Sequence, residues 1–129
     1  MDSIEFSKQI RRETLKMVFK ASASHVGGAL SMADLLAVLY NEVLTINPNA
    51  PKNSNRDRFF LSKGHACTSL YAALALKGFF DIKELDSYSQ NESMLLSHVS
   101  HKIPGVELST GSLGHALPVA CGVALAAKR

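Results

Sequence analysis

The sequence predicts an α/β fold, helix-rich, with a parallel sheet that this chain only begins. Three observations point there. The stretch Asp57 to Gly78 reads as strand, turn and helix: Arg58 to Leu61 is a short apolar run, Ser62-Lys63-Gly64-His65 a tight polar turn, and Ala66 to Lys77 a helical apolar pattern stopped by Gly78. A second glycine-rich turn, Pro104 to His115, also opens a helix. Elsewhere the apolar residues recur at helical spacing, and the only strand signal lies around Phe59 to Leu61.

At 129 residues the chain is one domain's worth, and its 47% hydrophobic and 19% charged residues suit a packed core. The net charge of +3 comes from scattered basic groups without an aromatic-plus-arginine platform, which argues against nucleic acid. Cys67 and Cys121 sit in helical apolar patterns, as small buried hydrophobes do, so a reduced, cytoplasmic protein is expected. Met1 to Glu5 lacks the apolar core of a signal peptide. The most apolar stretch, Ala116 to Ala127, is interrupted by Pro118 and Gly122 and is too short to span a bilayer, so no membrane role is expected.

Taken in order, Ser3 is expected to cap a first helix reaching about Ala23, with Phe6, Ile10, Met17 and Ala21 along one side and a basic face opposite. Ser24 to Leu30 interrupts that pattern. Its paired glycines, Gly27 and Gly28, predict a sharp turn that allows close backbone approach, and His25 stands just before it. Ser31 with Asp34 has the form of a capping box, opening a helix whose buried face is Met32, Leu35, Leu36, Leu39 and Val43. Asn47 to Asn55 is a polar, proline-punctuated loop leading into the strand.

In open α/β sheets, ligands bind where strands end and helices begin, because helix N-termini present unpaired N–H groups. His65 stands at such a point, where an imidazole can donate to an anionic oxygen or exchange a proton near neutral pH; the alternative on this turn alone is a histidine that only caps the helix. Asp81 with Glu84 predicts a short capped helix ending near Tyr88. Ser89 to Pro104 is a polar, aperiodic loop carrying His98 and His101. Their spacing would suit a metal pair on a helix, but no further ligands follow at zinc-site spacing, and no metal ligand is assigned. The helix from Ala116 is thin, built on alanine and glycine with Val119, Val123 and Leu125 for bulk, and belongs inside a larger body or against a partner.

Three motifs then coincide. Ser24-His25 with Gly27 and Ala29 before Ser31-Met32-Ala33, Asp57-Arg58-Phe59 with Ser62-Lys63-Gly64-His65-Ala66, and Pro104-Gly105-Val106-Glu107 with Thr110-Gly111-Ser112-Leu113-Gly114 resemble, in order and spacing, the N-terminal thiamine-diphosphate-binding domain of transketolases. The resemblance runs from about Phe6 to Arg129. It implies a doubly wound α/β fold holding the diphosphate end of thiamine diphosphate through Mg²⁺, with the aminopyrimidine gripped by a second domain or a C-terminal subunit in an oligomer. It also implies transfer of a two-carbon ketol unit from a ketose, commonly a sugar phosphate, to an aldose. Carried over by position, His65 resembles the histidine on the cofactor diphosphate. His25 and His98 resemble those facing the substrate's reacting hydroxyls, and Gly111, Ser112 and Leu113 match the loop against the cofactor.

The sequence departs from the family at Val26, where proline is common, and at Ser112, His115 and Ala116 in a loop that often reads Gly-Pro-Leu-Gly-Gln-Gly. The Gly-Asp-Gly that supplies Mg²⁺ ligands in the family does not occur, so the metal ligands are expected outside this chain and residues 1–129 are read as an incomplete N-terminal part of the domain, split or truncated. Two alternatives stay open. One is another thiamine-diphosphate enzyme, of the phosphoketolase, dihydroxyacetone synthase or deoxyxylulose-phosphate synthase type. The other is a non-catalytic subunit that only pairs with a partner.

Overall fold

A computed structural model describes residues 1–129 as a helical body gathered around one central helix. The first helix, α1 (Ser3–Lys20), buries Phe6, Ile10, Thr14 and Met17, a stripe at near-helical period that packs on the body while its lysines face out. Its cap is Asp2, not Ser3: the Asp2 carboxylate accepts the Glu5 N–H at 2.8 Å, and Ser3, already helical, donates its hydroxyl to Glu42. The helix ends short of Ala23, where Ser22 takes a left-handed φ of 50°.

The paired glycines do not make a sharp turn. They open a short helix, α2 (Gly27–Ser31), and Ser31 closes it by donating its hydroxyl to the Gly28 carbonyl at 2.8 Å. The expected capping box at Ser31 is therefore absent, because Asp34 is drawn to a bidentate pair with Arg11, both bonds 2.8 Å, and to the Ser7 hydroxyl. Helix α3 (Ala33–Val38) continues into a single π-turn, Leu39–Val43. Met32, Ala33, Leu36, Ala37 and Tyr40 are buried, but Leu35 and Val43, expected on the same face, are each 58% exposed.

No strand forms. The residues expected as a strand, Phe59 to Leu61, lie outside any regular element, and the Leu61 carbonyl accepts the Thr110 hydroxyl at 2.5 Å. The physical reason is that a strand needs a neighbour for its ladder, and no backbone–backbone hydrogen bond joins Phe59, Phe60 or Leu61 to another segment.

After a 3₁₀ turn at Gly64–Ala66, α4 (Cys67–Leu76) buries every residue from Cys67 to Ala75. A helix apolar all round belongs in the middle of a body, and α4 is flanked by α1, α2, α3 and the 3₁₀ turn Ile82–Ser87. It ends as expected on Gly78, whose φ is 86°, with the paired bonds Phe79 N–H to Leu74 and Gly78 N–H to Ala75. Asp81 caps the next turn by accepting the Lys83 N–H at 2.9 Å.

The segment 89–104 carries no regular element, yet Leu95, Val99 and Ile103 anchor it in the core. Arg56 and Glu107 meet through two bonds of 2.8 and 2.7 Å, joining the loop before Phe59 to the turn after Pro104. Helix α5 (Ala116–Ala126) stands apart: only Ala116 is buried, and Leu117 and Leu125 are 69% and 66% exposed. No helix is long and apolar enough to cross a membrane.

Candidate functional site

Three separate segments bring three imidazoles to one place. His65 is carried by the 3₁₀ turn ahead of α4, His25 by the residues ahead of α2, and His98 by the loop that α4 underlies. Their ring centroids lie 5.1 Å apart for His25 and His65, 5.8 Å for His25 and His98, and 6.5 Å for His65 and His98. That spacing lets one small molecule touch all of them.

The glycines make the convergence possible. A Cβ on Gly64 would stand 2.2 Å from the Thr110 carbonyl oxygen, so only glycine lets the two corners touch. Backbone bonds then lock them: Val99 N–H donates to the Gly64 carbonyl at 3.2 Å and Thr110 N–H to the Val99 carbonyl at 3.3 Å. On the other side, Gly28 offers its bare backbone to the imidazole, a Cβ there falling 3.5 Å from His65 Nε2. Gly111 lies under His98, with 3.9 Å from its Cβ position to Cδ2.

The electrostatics favour a neutral His65. Desolvation, then the neighbouring His25 and His98, then Lys63 push its pKa below the ordinary 6.5. A neutral imidazole beside two others can donate to an oxyanion and take or return a proton near pH 7. Lys63 is tethered close by, its Nζ donating to Ser31 Oγ at 3.2 Å.

Of the residues singled out in the sequence, His25, His65, His98 and Gly111 come together. Ser112 and Leu113 run on from Gly111 into solvent, Leu113 being 68% exposed. His101 turns away, its Nδ1 bonded to Ser109 Oγ at 2.7 Å. No group of three or more His, Cys, Asp or Glu side chains is placed to hold a metal ion, so this chain's residues do not fit Mg²⁺ by themselves.

Sequence reasoning gave no role to Lys63, Thr110 or Ser62, although all three lie inside its motifs. Thr110 is buried beneath the site, and Ser62 accepts the Ala116 N–H at 3.1 Å, fixing the start of α5 beside the turn of His65. For Thr110 the available signal was a hydroxyl immediately before Gly111. Beside His98 and Gly111 a cleft of about 580 Å³ opens, walled by Ser97, Ser100, Ser109 and Thr110.

Comparison with known proteins gives this arrangement its relatives. The family described as transketolase, thiamine diphosphate binding domain, matches residues 3–129. The 6-deoxy-6-sulfo-D-fructose transketolase subunit SqwG of a Clostridium species is 46% identical over 118 residues, covering 91% of this chain and 43% of that protein. Transketolase 2 of Escherichia coli is 39% identical over 128 residues, covering 98% of this chain and 19% of its own length. The structure of transketolase from Leishmania mexicana superposes with a TM-score of 0.90 at 32% identity, covering 98% of this chain and 19% of that one. The chain thus spans less than half the length of these relatives. With a family match over nearly every residue, a shared fold, and the motif histidines and glycine gathered at one place, the chain belongs to the transketolase thiamine diphosphate-binding domain family.

Proposed function

We propose that this chain supplies the diphosphate-binding side of a transketolase-type active site, completed by a pyrimidine-binding domain or C-terminal subunit in an oligomeric, cytoplasmic enzyme. The observation that carries the reading is the gathering of three imidazoles over glycine backbone within reach of one small molecule. The donor set suits a polyanionic tail: imidazole N–H groups, a nearby ammonium, and bare backbone at Gly28 and Gly111. His65 binds the diphosphate of thiamine diphosphate, and Gly111, Ser112 and Leu113 lie along the cofactor. His25 and His98 face the ketose, orient its hydroxyls, and take and return the proton of the reacting hydroxyl. When bound, the cofactor supplies the nucleophile and the electron sink for carbon–carbon cleavage.

The substrates are a ketose donor and an aldose acceptor, either of them a sugar phosphate, between which a two-carbon unit moves. The Mg²⁺ ligands come from outside these residues, as do the strands of the doubly wound parallel sheet. The exposed α5 favours a second reading, a subunit that only pairs with a partner.

Titration with inorganic pyrophosphate, followed by NMR of the imidazoles, tests the first reading. Pyrophosphate restores the proton that His65 has lost, so binding takes up a proton and tightens several-fold as pH falls from 7.5 toward 6. His65→Asn weakens that pH dependence. Binding that leaves the signals of His65 and Gly111 unmoved overturns the reading and favours a pairing subunit.

A further inference from the structure

We propose that Tyr71, assisted by Cys67, is a positioning residue that holds the His98 peptide in register with His25 and His65. The inference deepens the proposed function and rests on His98 acting at that site. A histidine in a segment without regular structure stays at a defined distance from two others only if its main chain is fixed. Here three consecutive carbonyls are held from beneath by one turn of α4. The Tyr71 hydroxyl lies 3.0 Å from the Leu96 carbonyl and 3.1 Å from that of His98. Cys67 Sγ lies 3.5 Å from the Leu96 carbonyl and 3.3 Å from that of Ser97.

The two side chains stand four residues apart and so share a helix face. Both have no exposed surface. Burial pushes the Cys67 thiol up to about 11 and the Tyr71 phenol above its ordinary value, so both keep their protons and remain donors across the physiological range. A hydroxyl carries one proton, so Tyr71 shares it between the carbonyls on either side of Ser97. Helix α4 thereby links two imidazoles, carrying His65 ahead of its first turn and bracing His98 from its side.

Packing alone would be served by phenylalanine. The Tyr71 ring meets Tyr88 edge to face at 6.3 Å, a contact that Tyr71→Phe keeps. The backbone bonds of Val99 to Gly64 and Thr110 also survive that change. The hydroxyl is therefore the removable part of the brace.

The test is NMR of the full chain carrying Tyr71→Phe, beside Cys67→Ala and Cys67→Ser. In Tyr71→Phe the His98 ring signals broaden or split and the Val99 amide exchanges at least tenfold faster, while pyrophosphate affinity at His65 stays within twofold. Cys67→Ala acts in the same direction, and Cys67→Ser, which retains a donor, restores the wild-type His98 signals. His98 signals and Val99 exchange unchanged in Tyr71→Phe overturn the proposal. Should Tyr71→Phe fail to fold, the cysteine pair decides: perturbation by alanine with rescue by serine supports the brace, and equal perturbation or unfolding of both assigns these groups to the core and overturns it. Pyrophosphate binding by the wild-type chain reads the functional assignment separately, because its absence leaves the effect of Tyr71 on His98 measurable.

Discussion

His65 holds a lowered pKa because its desolvation, and after it the neighbouring His25, His98 and Lys63, oppose a positive charge. Below the ordinary 6.5 the unfolded chain takes up a proton before the folded chain does, so stability falls as pH drops from 6.5 through the folded value and then levels off. His65→Asn removes this one contribution, and thermal melts of the two proteins between pH 7.5 and 5 show a shallower decline in the variant. A decline identical in both would place the acid sensitivity elsewhere. Asp34 lies on the far acid side, held at about 2 by bonds from Arg11 and Ser7, so its contribution persists above the ordinary 3.8 and is lost only as pH falls toward 2.

Among the elements, the contact between the Gly64 turn and the Thr110 corner decides whether there is a site at all. Gly64→Ala places a methyl against a backbone carbonyl that cannot swing aside. Its expected cost is about 1–3 kcal/mol, typical of overpacking. The more telling readout is the distance between corners: cross-peaks between His65 and His98 weaken, and pyrophosphate binding falls because the backbone at Gly111 moves away from His65. A variant that binds pyrophosphate like the wild type would show that the two corners act independently.

For the whole molecule, the outstanding feature is α5, apolar in composition yet with no residue beyond Ala116 fully buried. Large exposed apolar surface marks an interaction face. Under the proposed function, Leu117→Glu with Leu125→Glu, both sites being more than 65% exposed, is expected to leave the melting midpoint of the chain within about 3 °C while abolishing assembly with a completing subunit, measured by sedimentation. A large loss of stability in the isolated chain would instead mean that α5 folds back on its own body.

The sequence by itself determined α1, through its apolar stripe at helical spacing, and α4, through an unbroken apolar run, together with the stop at Gly78 and the cap at Asp81, because these follow from local composition, spacing and turn chemistry. It also determined the family, because three motifs fell in order. It misplaced the cap at Ser3, the box at Ser31 and the turn at Gly27-Gly28: the Ser3 hydroxyl goes to Glu42, the Ser31 hydroxyl goes to the Gly28 carbonyl, and the two glycines open α2. The strand at Phe59 to Leu61 failed for a related reason, as no local pattern supplies the neighbour that a ladder requires. What only the tertiary structure decided is the meeting of His25, His65 and His98, because distances between residues so far apart in sequence are set by packing against α4, not by the chain's local preferences.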